Sequence, residues 1–236
     1  MKKYIYLIIT AALFAINQNS KAQEVVLSEK VIQDSVRGKY GPNMSHYLHF
    51  YAGFGFITPV NQNTGSEIYF GKANNFEIGL RYKKRITNWL ALGANLYYEM
   101  YNYRLEQNDD KTFPDTLIYG KQKVKSHNFG IAPYLRINIG RRGNRLGNYL
   151  DVGVFGNVIF SQKLKAFDTP DGKEKVVLKD AGLLNSTFWG VYANIGIANS
   201  FVLFAKYNMS ELVKPGNANY ADLPPLTIGL QFNFSH

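Results

Sequence analysis

The chain has no cysteine among its 236 residues, which removes disulfides and thiolate metal sites together. Charge is sparse at 19%, and beyond the opening 16 residues no apolar run reaches the roughly 20 residues that a membrane-spanning helix needs. The mean hydropathy of -0.22 agrees with that lack. Histidine is scarce too: His46, His49, His127 and His236 are the whole supply. A metal site needs two or three convergent ligands. His46 and His49 lie three apart and so face opposite sides of a strand, which argues against a shared ion. Ser126-His127, with Asp109, Asp110 and Asp115 upstream, holds the residue types of a Ser-His-Asp site. Neighbours on a strand point opposite ways, however. No phosphate-cradling glycine loop occurs. The expectation is a non-enzyme with no cofactor and no metal.

Aromatic residues, by contrast, are plentiful, with 17 Tyr and 16 Phe. The N-terminus carries Lys2 and Lys3, an apolar run from Tyr4 to Ile16, and Ser20-Lys21-Ala22 before Gln23. Small residues stand at the two positions a signal peptidase inspects, so residues 1–22 read as a signal peptide. Removing them takes away three lysines and no acid, lowering the net charge from +10 to +7. An exported protein meets little nucleic acid, and none is expected as a partner. Residues 23–45 read as a periplasmic leader ending in the turn signal Gly41-Pro42-Asn43.

Residues 46–236 change character. Apolar and polar residues alternate in eight runs, about 47–57, 75–86, 89–103, 125–139, 149–160, 187–198, 201–212 and 226–234. Each run is close to the roughly 9 to 11 residues of a tilted membrane strand. The last run sets Leu226, Ile228, Leu230, Phe232 and Phe234 against Thr227, Gly229, Gln231 and Asn233. Connections alternate between short, at 87–88, 141–147 and 199–200, and long, at about 59–72, 104–123, 162–185 and 213–224. Short periplasmic turns and long external loops are the habit of outer-membrane barrels. A soluble sandwich would carry many more lysines and glutamates on its polar face. Residues 169–172, Thr-Pro-Asp-Gly, form a hairpin turn, with Lys175 to Leu178 continuing a strand beyond the membrane. The expected fold is all-β: an eight-stranded antiparallel up-and-down transmembrane β-barrel, closed by the last strand against the first.

The faces carry further expectations. On the inner face Glu77, Glu99 and Asp151 balance Arg81, Arg136 and Lys206. Eight strands leave a lumen just wide enough for side chains to fill, so a charge network plugs it, with tyrosines fitted over lumenal glycines such as Gly79, Gly93, Gly130 and Gly153. Lys83, Lys84, Arg85, Arg141, Arg142 and Arg145, joined by Arg37 and Lys39, make a basic periplasmic rim suited to anionic headgroups. The loop at 104–123 holds four basic and four acidic residues, a neutral count. Trp89, Tyr101, Tyr103, Tyr149 and Trp189 are candidates for interfacial girdles.

With these runs, loop lengths and the aromatic close Phe232-Asn233-Phe234, residues 46–234 resemble the small outer-membrane β-barrel family of Gram-negative bacteria, similar in plan to the OmpA transmembrane domain, OmpX and the PorT-like barrels. The resemblance implies an outer-membrane location with both termini periplasmic, and a last strand read by the barrel-assembly machinery. A following peptidoglycan-binding domain is not expected. It implies little about activity. The leading expectation is a non-enzymatic anchor, scaffold or accessory subunit of a secretion or barrel-assembly complex. Its partners would be phospholipid, lipopolysaccharide and other envelope proteins. Alternatives are adhesion through the external loops, a lipid-modifying enzyme using His127, and a small channel.

Overall fold

A computed structural model describes residues 39–61, 63–140, 143, 145–168, 175–179, 182–197, 200–214 and 222–234. Residues 1–22, read as a signal peptide, most of the segment read as a leader, Arg37, Arg141, Arg142, residues 169–172, read as a hairpin turn, and the final two residues lie outside them. The strands are β1 (His46–Ile57), β2 (Asn74–Arg85), β3 (Leu90–Leu105), β4 (Lys121–Ile139), β5 (Asn148–Phe167), β6 (Lys175–Lys179), β7 (Thr187–Ile197), β8 (Phe201–Asn208) and β9 (Leu226–Phe234). All pairings between them are antiparallel, and β9 joins β8 on one side and β1 on the other. With β4 paired to β5, eight strands close into an up-and-down ring. Closure removes the edges of the ring, which would otherwise leave unpaired backbone groups.

The period-2 alternation of the sequence is what decides the two faces. Along β4, even positions from Gln122 to Asn138 are buried while Phe129, Ile131, Leu135, Ile137 and Ile139 are exposed. The same holds round the ring, so the apolar residues form an outer band and the polar ones line the inside. This is the reverse of a soluble barrel and the arrangement that hydrocarbon demands. Glycine makes the packed interior possible. Tyr97 lies opposite Gly130, Tyr134 opposite Gly93, Tyr192 opposite Gly153 and Tyr149 opposite Gly196. A Cβ at Gly93 would fall 2.3 Å from the Tyr134 ring.

Three departures from the sequence reading have local causes. First, β8 ends at Asn208, short of Leu212, because its neighbour has nothing further to offer: Pro225 lacks an N–H, and its carbonyl accepts the Asn208 amide at 3.0 Å. Second, β3, β4 and β5 run on to Leu105, Lys121 and Phe167 by pairing with one another, so the wall is taller there. β6 adds to the far end of β5 and stays outside the ring. Third, β5 carries a bulge. His127 pairs with Ser161 and Asn128 with Ile159, leaving Phe160 as the extra residue. Before it the odd positions Asp151, Phe155 and Asn157 point inward; after it Leu164 and Ala166 do.

Of the five girdle candidates, Trp89 and Trp189 are exposed on the outside, whereas Tyr101, Tyr103 and Tyr149 are buried inside. Their parity places them in the lumen, where Tyr101 packs on Tyr103 and Phe188 while Tyr149, at the other end, clusters with Tyr47, Leu146 and Val202.

Candidate functional site

The lumen is the most highly organised polar region among the described residues. Glu77, Arg81, Glu99, Arg136, Asp151 and Lys206 all point into it and are buried. They fall into two storeys. Towards the end bearing the long connections, the Lys206 ammonium donates to Glu77 and, at 2.8 Å, to Glu99 Oε1. Glu99 also accepts from Asn75 and from Asn157, each at 2.8 Å. The Tyr97 ring lies 4.4 Å from the ammonium. Towards the end bearing the termini, Arg136 and Asp151 form a two-pronged pair at 2.6 and 2.8 Å, with the guanidinium 3.5 Å over the Tyr149 ring.

Arg81 stands between the storeys with no carboxylate in ion-pair contact among the described residues. It donates instead to Asn95 at 2.9 Å, Gln231 at 2.7 Å, Asn233 at 3.3 Å and the Tyr149 hydroxyl at 3.4 Å. Gln231 is the link: its Oε1 accepts from Arg81 and its Nε2 donates to Glu77. His49 and Asn233 continue the network at 3.3 Å. Alternation alone marks all of these as lumenal. It does not say which touch, because that depends on registers set by the closed ring.

Both mouths are filled as well. At the loop end Ile57, Ile68, Leu105, Phe113, Val124, Leu164, Leu184, Leu212 and Leu223 are buried together with Tyr103 in one apolar cluster that draws in all four long connections. A half-buried carboxylate ties the cap. Asp222 Oδ1 accepts the Leu212 and Val213 amides at 2.9 and 3.0 Å, while Ser66 donates to the Asp222 carbonyl at 2.7 Å. Burial pushes the Asp222 carboxyl up from the usual range, against those amides, which act in the opposite direction.

At the terminal end, residues 39–45 lie against the barrel. Of the six residues read as a basic rim, Lys83 is fully buried on the inner face with its ammonium on the Pro42 carbonyl, and Arg85 donates to the Asn43 carbonyl at 2.8 Å. Lys84 and Arg145 are exposed. Arg141 and Arg142 lie outside the described residues. Two of the cations therefore hold Pro42 and Asn43. In the closing strand Ile228, Leu230, Phe232 and Phe234 are exposed on the outer face, and Leu226 is half-buried at its start.

His127 lies on the outer face, its Nδ1 2.6 Å from the Tyr98 hydroxyl, and Ser126 is buried on the opposite face. His46 and His49 likewise separate, one to Tyr82 on the outside and one to Asn233 within.

Two solved structures of Ail, the attachment invasion locus protein of Yersinia pestis, are similar to this chain. One, in complex with the heparin analogue sucrose octasulfate, shares 12% identity over 79% of this chain and 97% of its own, with a TM-score of 0.35. The other shares 11% over 80% and 99%, with a TM-score of 0.34. A comparison with curated proteins finds no match. The family model described as outer membrane protein beta-barrel domain matches residues 28–210, which span β1 to β8 and the greater part of the ring. The chain belongs to that family, and its eight-stranded ring is a small barrel of the Gram-negative outer membrane.

Proposed function

We propose that this barrel is a non-enzymatic, non-conducting anchor or accessory subunit of an envelope assembly, with both termini in the periplasm. The observation that carries the reading is the filled lumen: two charged storeys, a bridging Gln231 and an apolar cap leave the outer surfaces and the rims as the places where work is done. The fastening of residues 39–45 by Lys83 and Arg85 supports a role for the terminal mouth as a docking end, since it presents the leader from a fixed point. Such a rim suits another envelope protein, as in a secretion or barrel-assembly complex. Extraction in mild detergent after crosslinking, followed by mass spectrometry, is expected to recover a defined set of envelope partners with the full chain. A strictly solitary protein would count against the reading. In planar bilayers the purified barrel is expected to give no stable conductance, and large steady openings would refute the plug.

A second reading, ligand binding by the long connections, is favoured by the internally bonded cap. Glu67 accepts the Gly65 amide at 2.9 Å and Asp115 accepts from Lys111 at 2.9 Å, so the loop surface is built rather than slack. Replacing residues 108–118 with a short Gly-Ser turn would then leave assembly intact and abolish surface binding.

A further inference from the structure

The charge count of the loop at 104–123 is neutral, but its charges are not mixed in space. On the outer face of β4, every second residue reads Lys121, Lys123, Lys125, His127, Phe129, Ile131, a descent from cation through aromatic to aliphatic. Lys123 lies opposite Arg104 of β3 on one side and Lys165 of β5 on the other, and Lys125 lies opposite Lys163. Like charges directly opposite across a ladder are destabilising, and here there are three such pairs.

The bulge assembles the two that involve β5. Without the extra residue at Phe160, the inward parity of Asp151 and Asn157 would carry on to Lys163 and Lys165 and point both into the core. A bulge that turns two lysines outward beside three others is a re-aiming device. Of the acids in the neighbouring loops, Asp115 pairs with Lys111 and Glu67 takes the Gly65 amide. Among the described residues, no carboxylate is in ion-pair contact with Lys72, Arg104, Lys121 or Lys123. These four side chains, with Asn74 and Asn102, line a recess of about 380 Å³. Arg104 Nε and Asn102 Oδ1 are buried there with no hydrogen-bond partner among the described residues.

We propose that this recess binds the phosphate groups of a phosphorylated glycolipid of the outer leaflet, of the lipopolysaccharide class. Arginine and lysine are the side chains that meet phosphate, and an anion here removes the repulsion within the rows. The lipid, rather than a soluble anion, is indicated by what lies below. Phe129 and Phe160 stack at 4.8 Å with Tyr98 beside them, and Ile131, Leu135 and Ile137 continue the same face. A headgroup on the lysines thus leaves its acyl chains against the apolar band. The proposal rests on the periplasmic placement of the termini, which puts this end of the barrel in the outer leaflet.

The test is native mass spectrometry of the detergent-purified full chain titrated with diphosphoryl lipid A, monophosphoryl lipid A and soluble polyphosphate. Wild type is expected to bind the diphosphoryl form tightest. The triple variant Arg104→Gln, Lys121→Gln, Lys123→Gln should bind it about tenfold more weakly, while Lys84→Gln at the other rim leaves binding unchanged. Because the triple variant relieves repulsion, it should resist heat at least as well as wild type without lipid. Should it nonetheless fail to assemble, Lys123→Gln alone provides the comparison. Equal binding by wild type and variant, or indifference to phosphate number, would overturn the site. Displacement of lipid A by polyphosphate at equal phosphate would overturn the glycolipid as occupant. Orientation is read separately, since the native chain lacks cysteine: Asp109→Cys on intact cells should take an impermeant maleimide. No label there overturns the orientation and the outer-leaflet occupant with it; label without lipid A binding overturns the site alone.

Discussion

Lys206 shows what a single side chain does in this interior. Its ammonium is the cation shared by Glu77 and Glu99, and all three are cut off from solvent. Breaking a buried pair by removing one partner leaves an uncompensated charge and costs about 3–5 kcal/mol. Lys206→Met is therefore expected to lower sharply the temperature at which the compact, heat-modifiable form is lost on gels. The double variant Lys206→Met, Glu99→Gln restores neutrality, with Glu77 balanced by Arg81 through Gln231 and Asp151 by Arg136, so most of the loss should be recovered. If the double variant is no better than the single, the network is not held by charge balance. Alternation in the sequence was enough to name these six residues, whose charges balance, although Lys83 also faces inward as a fourth cation. It could not foresee that Arg81 would be satisfied by amides and a phenol, since β2 and β9 come within side-chain reach only when the closed ring sets both against β1. Lys83 was legible by the same parity, and its nearness to the strand end was the misleading signal.

At the scale of elements, strand number, turn ends and faces could be read from the chain, but strand height and the bulge could not. A bulge is a relation between two strands: Phe160 continues an apolar pattern and becomes an extra residue only when His127 and Asn128 find their partners. The neutral count at 104–123 is correct but carries no facing, and it is facing that sets Arg104 against Lys123. The cap has a titratable element of its own. The Asp222 carboxyl is raised in the folded state by burial, so folding binds its proton more tightly than the unfolded chain does. Its contribution to the cap is present in full below the ordinary carboxylate value of about 3.9 and is lost as pH rises through the higher folded value. Amide exchange at Leu212 and Val213, corrected for intrinsic rates, should accordingly be slower at about pH 4 than at about pH 7. Asp222→Asn keeps the accepting oxygen, loses the proton, and should flatten that dependence. Unchanged pH sensitivity in the variant would assign it to another group.

The whole molecule depends on one seam. β9 has β8 on one side and must find β1 on the other, placing Phe54 beside Leu230 and Gly53 beside Gln231, or the ring stays open with two unsatisfied edges in lipid. The two faces of that strand make opposite demands. Leu230 is exposed on the outer band, where a cationic side chain costs roughly 2–4 kcal/mol near the midplane. Gln231 faces inward and joins Arg81 to Glu77. Leu230→Arg should therefore reduce the yield of heat-modifiable barrel in the membrane. Gln231→Asn should assemble at normal yield but lose its compact form at a lower temperature, because the shorter amide reaches one of its two partners and leaves the storeys uncoupled. The two variants thus separate insertion from interior coupling. Equal loss of assembly in both, or the same melting shift with normal yield in both, would mean that the faces of the closing strand are not divided between lipid and lumen.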